Sequence, residues 1–218
     1  MTTTPMNSHT GVEQWLPKTA ISESPFTTFA NSIHPLSQQA QDFINQKTFS
    51  YRVGKSEFLV TTGNYCPTLY LIKKGILRSY IKDGIKEITT WITAEQELVT
   101  SITSFGLHQP ARENIQALED CELIGLQFED LQYMYDHFTE MNIVARKVLE
   151  NYYRDAEERA FIARLTEATS KYKHFVATKS NLLNRVPLKF IASYLGMTLE
   201  TLSRIRSKLS RNMNGFYQ

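Results

Sequence analysis

Between Phe49 and Phe128 the chain alternates short apolar runs with turn-forming residues. The runs are Phe58-Leu59-Val60, Leu69-Tyr70-Leu71-Ile72, Ile76-Leu77-Arg78-Ser79-Tyr80-Ile81 and Ile85 to Ile92. Gly54, Gly63, Gly75 and Gly84 punctuate them. This rhythm predicts a small antiparallel sandwich or barrel. Asp83-Gly84 predicts a hairpin turn, because both residues tolerate positive φ. Ahead of the strands, Leu36, Ala40, Phe43 and Ile44 mark one side of a short helix. Residues 1–24 are rich in Thr, Ser, Asn and Pro without periodicity, which predicts a mobile tail.

After Phe128 the pattern turns helical, and no glycine recurs before Gly196. A short helix is expected from about Glu129 and a longer one from about Glu140 to Leu165. On the longer helix Ala145, Val148, Leu149, Tyr152, Ala156 and Ala163 recur at spacings of three and four, while Arg146, Arg154 and Glu158 face elsewhere. Such a stripe suits packing on the chain's own barrel or pairing with a second copy. The expected organisation is a tail over residues 1–24, a barrel over 25–137, a long helix over 138–165 and a C-terminal unit over 166–218.

The segment Leu188 to Ser207 reads as two helices joined at Gly196. Pro187 opens the first, where its missing N–H is no loss. Ile191 and Leu195 are its core contacts, and the small Ala192 permits a close helix crossing. Gly196 supplies the left-handed residue that ends the helix, and Thr198 is a suitable N-cap for the second. Leu202, Ile205 and Leu209 mark the second helix's buried side. At 100° per residue the opposite side carries Glu200, Arg204, Ser207 and Arg211, with Ser203 beside them. This is the pattern of a helix-turn-helix whose second helix enters the major groove. Arginine can grip guanine bidentately, and a carboxylate can accept from the cytosine amine.

Charge distribution favours the same reading. The formal net charge is only +2, yet the chain from Glu167 onward carries nine Lys/Arg against Glu167 and Glu200. A basic C-terminal quarter on an acidic remainder is the footprint of a polyanion-binding module. Cys66 and Cys121 are too few for a disulfide framework or a four-cysteine cluster, and fit small buried side chains. The five histidines, His9, His34, His108, His137 and His174, show no metal-binding spacing. With neither a phosphate loop nor a nucleophile elbow, the residues imply no enzyme, metal or cofactor. No run is long and apolar enough to span a bilayer, and the first 15 residues lack a signal-peptide pattern. A cytoplasmic location is the expectation.

The order of β-rich module, long helix and C-terminal helix-turn-helix resembles the cyclic-AMP receptor / fumarate–nitrate regulator (Crp/Fnr) superfamily of bacterial transcription factors. The likeness spans roughly residues 26–210. It extends to Val53-Gly54-Lys55, Gly63 and Leu69 to Gly75 in the barrel. Its most specific stretch is Arg185 to Arg206, where Glu200-Thr201-Leu202-Ser203-Arg204 matches the Glu-x-x-Ser-Arg pattern of the fumarate–nitrate branch. The resemblance implies an α+β protein. Its parts would be an N-terminal antiparallel jelly-roll barrel of the cyclic-nucleotide-binding type, a long dimerisation helix and a C-terminal winged-helix domain. Few residues follow Leu209, so a wing there would be short or absent. The resemblance further implies a homodimer on an inverted-repeat operator with half-sites related to TTGA, and contact with RNA polymerase.

Glu200, Ser203 and Arg204 are the expected base readers. Arg185, Lys189, Thr198, Thr201, Arg206 and Lys208 are the expected phosphate contacts. Ala145, Val148, Leu149, Tyr152 and Ala156 are the expected dimer contacts. The barrel departs from the nucleotide-binding members. Where they carry Gly-Glu-Leu, this chain reads Val99-Thr100-Ser101-Ile102, and Glu113 sits beside Arg112, the residue nearest the family's phosphate-binding arginine. A buried phosphate without paired charge is costly, so cyclic-nucleotide binding is not expected. Thr100, Ser101 and Arg112 would line any pocket for another small-molecule effector, or the barrel is a scaffold. The competing class is a ligand-binding or enzymatic barrel that reads no DNA.

Overall fold

The structure, a computed structural model, describes residues 23–214, with side chains to residue 210. All but the last two residues of the expected tail lie outside the described residues. Of those two, Ser24 is buried. It N-caps helix α1 (Pro25–Ile33), its backbone N–H donates to Asn45 Oδ1 at 2.8 Å, and its hydroxyl accepts from Thr48 at 2.7 Å. Asn45 and Thr48 belong to helix α2 (Gln38–Lys47) and its C-cap, so the first two helices are tied together at their ends.

The strands are β1 (Phe49–Val53), β2 (Phe58–Val60), β3 (Thr68–Lys74), β4 (Leu77–Asp83), β5 (Lys86–Thr93), β6 (Leu98–Val99), β7 (Asn114–Ala117) and β8 (Cys121–Gln127). They form two four-stranded antiparallel sheets in the orders β1-β8-β3-β6 and β2-β7-β4-β5. Between them lie Val53, Val60, Ile72, Leu77, Ile115 and Leu123, with both cysteines among the buried residues. The unbroken run Leu69 to Ile72 has a physical cause. Tyr70 and Ile72 face this core, while Leu69 and Leu71 face a second one under the helices. Helix α3 (Ile102–Leu107) lies in the connection from β6 to β7.

The predicted hairpin turn is displaced by one residue. Asp83 pairs with Lys86, leaving Gly84 and Ile85 at the tip, and of these only Gly84 has positive φ, at 59°. One positive φ at the first tip residue is the II′ pattern, which demands glycine there and leaves the second residue free.

Helices α4 (Phe128–His137) and α5 (Thr139–Arg164) follow. The second core gathers Phe26, Ala30, Ala40, Ile44, Leu126, Met134, Met141 and Val144, so the first turns of α5 are seated on the barrel. The apolar stripe of α5 then divides. Val148 packs into this core, and Tyr152 stacks on Trp91 of β5 with ring centroids 5.7 Å apart. The Tyr152 hydroxyl accepts from Leu98 N–H at 2.6 Å and donates to Leu98 C=O at 2.9 Å. Both residues were expected at a dimer contact. They sit roughly 40–100° of helix away from Leu149 and Ala156, and their own barrel takes them. Leu149 and Tyr153 remain 67% and 71% exposed, and with Ala145 they wall an open groove.

The described residues end in helices α6 (Ala168–Thr178), α7 (Leu188–Tyr194) and α8 (Leu199–Asn214), with a 3₁₀ turn at Ser180–Leu182. Among the described residues this unit contains no strand, so the wing implied by the resemblance is not among them. Its core of Tyr172, Phe175, Leu182, Val186, Ile191 and Leu202 is continuous with Ile76, Ile92, Ala94 and Leu118 of the barrel. That continuity has no signature in the hydrophobic periodicity. The terminal helices are docked on the outer face of the sheet that ends in β5.

Candidate nucleic-acid interface

Helices α7 and α8 are joined as their residues require. Gly196 adopts φ 64°. Its N–H donates to Ser193 C=O at 3.1 Å, and the next N–H, of Met197, donates to Ala192 C=O at 3.0 Å. That pair of bonds is the Schellman ending, which satisfies carbonyls the helix would otherwise leave open. Thr198 Oγ1 then accepts from Thr201 N–H at 3.1 Å, capping α8. Ile191, Ala192, Leu195, Leu202 and Ile205 are buried, and Leu209 is packed against the same core.

Burying that side leaves Glu200, Ser203, Arg204, Ser207 and Lys208 exposed along α8. Glu200 lies in the first turn. Its own backbone N–H, the Thr198 hydroxyl and the charge of Arg204 hold its carboxyl below the usual carboxylate range. It is therefore an acceptor at neutral pH. One helix face thus offers a fixed anion, a hydroxyl and a guanidinium within two turns, the chemistry of base-edge recognition in the major groove.

The expected phosphate contacts separate into two groups. Lys189 and Lys208 are exposed, and Thr198, Thr201 and Arg206 lie on or beside α8. Arg185 is otherwise engaged. Its guanidinium grips Glu95 bidentately at 2.6 and 2.9 Å and also contacts Glu119. The Arg185 hydrogen bonds hold the Glu95 carboxyl down at about 2. Two barrel carboxylates compensate this cation, so its assignment to DNA phosphate is replaced by a barrel contact.

Two of the expected effector residues are engaged within the barrel, and the third is exposed. Thr100 Oγ1 donates to Thr68 C=O at 2.9 Å, and the buried Ser101 caps α3. Arg112 lies exposed in the loop before β7. Among the described residues no helix is long and apolar enough to cross a membrane.

Sequence alone missed the residues that seat this unit on the barrel: Arg78, Glu87 and Thr89 on one side, Phe190 and Ser193 on the other. Their one legible signal is an arginine inside the otherwise apolar run Ile76 to Ile81.

Comparison with known proteins follows the same division of the chain. Residues 51–138 match the family model of the cyclic nucleotide-binding domain. Electron transport regulator A of Shewanella oneidensis is 23% identical over 206 residues, covering 86% of this chain and 76% of that protein. Among solved structures, FixK2 from Bradyrhizobium japonicum superposes with a TM-score of 0.65 at 19% identity, over 76% of this chain and 85% of its own. A Crp/Fnr-family protein from Eubacterium rectale gives 0.63 at 16% identity, over 81% and 85%.

Proposed function

We propose that this protein, a cyclic nucleotide-binding-type barrel followed by helices in the fold of Crp/Fnr regulators, is a sequence-specific DNA-binding transcriptional regulator. One observation carries the reading: Glu200, Ser203 and Arg204 stand exposed on the second helix of a helix-turn-helix whose opposite side is buried. The names of relatives that are themselves regulators support it. The protein acts as a homodimer, α5 against α5, on an inverted repeat of TTGA-like half-sites, and contacts RNA polymerase there. Arg204 grips guanine, and Glu200 accepts from a cytosine amine of the complementary strand. Thr198, Thr201, Arg206, Lys189 and Lys208 serve the phosphates. The barrel senses a small molecule other than a cyclic nucleotide or acts as a scaffold.

Genome-wide mapping of bound DNA tests the reading, with binding measured on the site so found. Arg204→Ala should cost about 1–3 kcal/mol and relax preference at one base pair. Lys208→Ala should weaken all DNA alike and flatten the salt dependence. No enriched site in the mapping overturns the proposal, and so does an Arg204→Ala loss that is equal on operator and random DNA.

A further inference from the structure

Arg78 is 1% exposed and is the second residue of β4. Its neighbour Leu77 faces the barrel interior, so Arg78 and Tyr80 lie on the outer face, toward α7. The guanidinium has two hydrogen-bond partners and two aromatic neighbours. Nε donates to Thr89 Oγ1 at 2.8 Å and Nη1 to Glu87 Oε2 at 2.9 Å. The rings of Tyr80 and Phe190 lie against it, with centroids 4.2 and 4.0 Å from Cζ. A buried cation persists only where charge and π faces replace its water. Here one of the two rings, Phe190, belongs to the first helix of the helix-turn-helix.

Two further contacts land on the same unit. β5 ends its sheet, and its outer edge is met by one side chain. The Ser193 hydroxyl accepts from Thr89 N–H at 2.9 Å and donates to Glu87 C=O at 3.0 Å. At the entry to α7, Arg185 is clamped by Glu95 and Glu119. None of these contacts touches the exposed side of α8. The docked arrangement leaves Glu200, Ser203 and Arg204 open to solvent while fixing the helix on which α8 packs.

We propose that Arg78 is a positioning residue for DNA recognition: it pins α7 to the barrel and so holds α8 at one place relative to α5. The inference rests on the DNA-reading proposal above. A dimer whose reading helices are pinned to their barrels accepts half-sites at one separation, about one turn of DNA. A dimer whose reading helices swing free tolerates several separations and pays an ordering cost on each.

The test uses the full chain and its Arg78→Met, Arg78→Lys and Ser193→Ala variants. The first measurement needs no DNA: hydrogen exchange of the Thr89 amide, whose acceptor is Ser193. If a desolvated cation–π contact is lost, exchange in Arg78→Met should accelerate about 30-fold, equivalent to about 2 kcal/mol. Arg78→Lys keeps the charge without the flat stacking surface and should fall between. The second measurement compares affinity for the mapped operator with affinity for operators whose half-sites are moved apart by one and two base pairs. Discrimination against the altered spacings should fall roughly tenfold in Arg78→Met, while discrimination at the base pair read by Arg204 stays unchanged. Ser193→Ala leaves the arginine in place but removes the Thr89 acceptor itself, so it is read by operator spacing alone; it should relax the spacing preference in the same direction and guards against misfolding of Arg78→Met. Unchanged Thr89 exchange in Arg78→Met overturns the pin. Faster exchange with an unchanged spacing preference overturns the positioning role, and tighter operator binding would mean that docking opposes DNA. If the unmodified protein binds no DNA, the DNA-reading proposal fails and the positioning role with it, while the exchange measurement still decides whether Arg78 is the pin.

Discussion

Leu149→Glu is the substitution that best separates what α5 does for its own barrel from what it does for a second copy. Leu149 is 67% exposed and stands beside the groove walled by Ala145 and Tyr153, so within one chain it contributes little. Full burial of a leucine stabilises by about 1.5–3 kcal/mol, of which roughly two-thirds is still available here, or about 1–2 kcal/mol per copy. A symmetric pair uses it twice. Glutamate forfeits that gain and adds a desolvation cost of about 1 kcal/mol per copy at a partly wet seam. The sum is about 4–6 kcal/mol, or three to four orders of magnitude in the dimer dissociation constant. Sedimentation velocity across a concentration series reads this directly. Thermal unfolding of the dissociated chain should move by no more than about 0.5 kcal/mol, as for an ordinary surface change. Tyr152→Phe is the complement. It removes both hydrogen bonds to Leu98 and should cost about 1–2 kcal/mol of stability with association unchanged. The reasoning is refuted if Leu149→Glu leaves association intact, or if the unmodified protein sediments as a monomer at tens of micromolar (roughly the range for an obligate dimer).

Two further predictions concern stability. The Glu95 carboxyl is depressed to about 2 by Arg185, so its contribution is present above the ordinary carboxylate pKa and is lost as pH falls through the folded value. Urea unfolding should therefore lose on the order of 2 kcal/mol, after solvent screening, between about pH 5 and pH 2, and Arg185→Met should flatten that limb. Gly75→Ala places a Cβ 2.5 Å from Cys121 Sγ and 2.9 Å from Cys121 Cα, at φ 110°. Backbone strain and overpacking together should cost about 3 kcal/mol or more in chemical denaturation.

What was legible in the sequence was local. Gly196 has to end a helix and Thr198 can start one, whatever surrounds them, so the helix-turn-helix could be read from a few neighbouring residues. Alternation likewise disclosed the strands, because a sheet with one face on a core repeats every two residues. The hairpin slipped by one because Asp83 and Gly84 both tolerate the turn, and only the cross-strand partner Lys86 decides between them. Ser24 read as tail because its worth lies in Asn45 and Thr48, more than 20 residues away. The stripe on α5 spanned two faces, and periodicity could not say that Tyr152 belongs to Leu98 while Leu149 belongs to the groove. Arg185 reads as a DNA cation until Glu95 and Glu119, distant in sequence, are folded against it.

The contact of Ser193 with β5 also bears on solubility. An outermost strand with open N–H and C=O groups is a template for another chain, and proteins blunt such edges by covering them. Here the cover is α7, over a strand that also carries the partly exposed Ile88 opposite Ile81, with Ile85 bare at the hairpin tip. A chain shortened to end at residue 165 would keep every strand of its barrel and lose the cap on this edge. Such a fragment should self-associate through β5 unless Ile85 and Ile88 are replaced by lysine. The helical unit proposed to read DNA is, in this sense, also what would keep the barrel from pairing along its sheet edge.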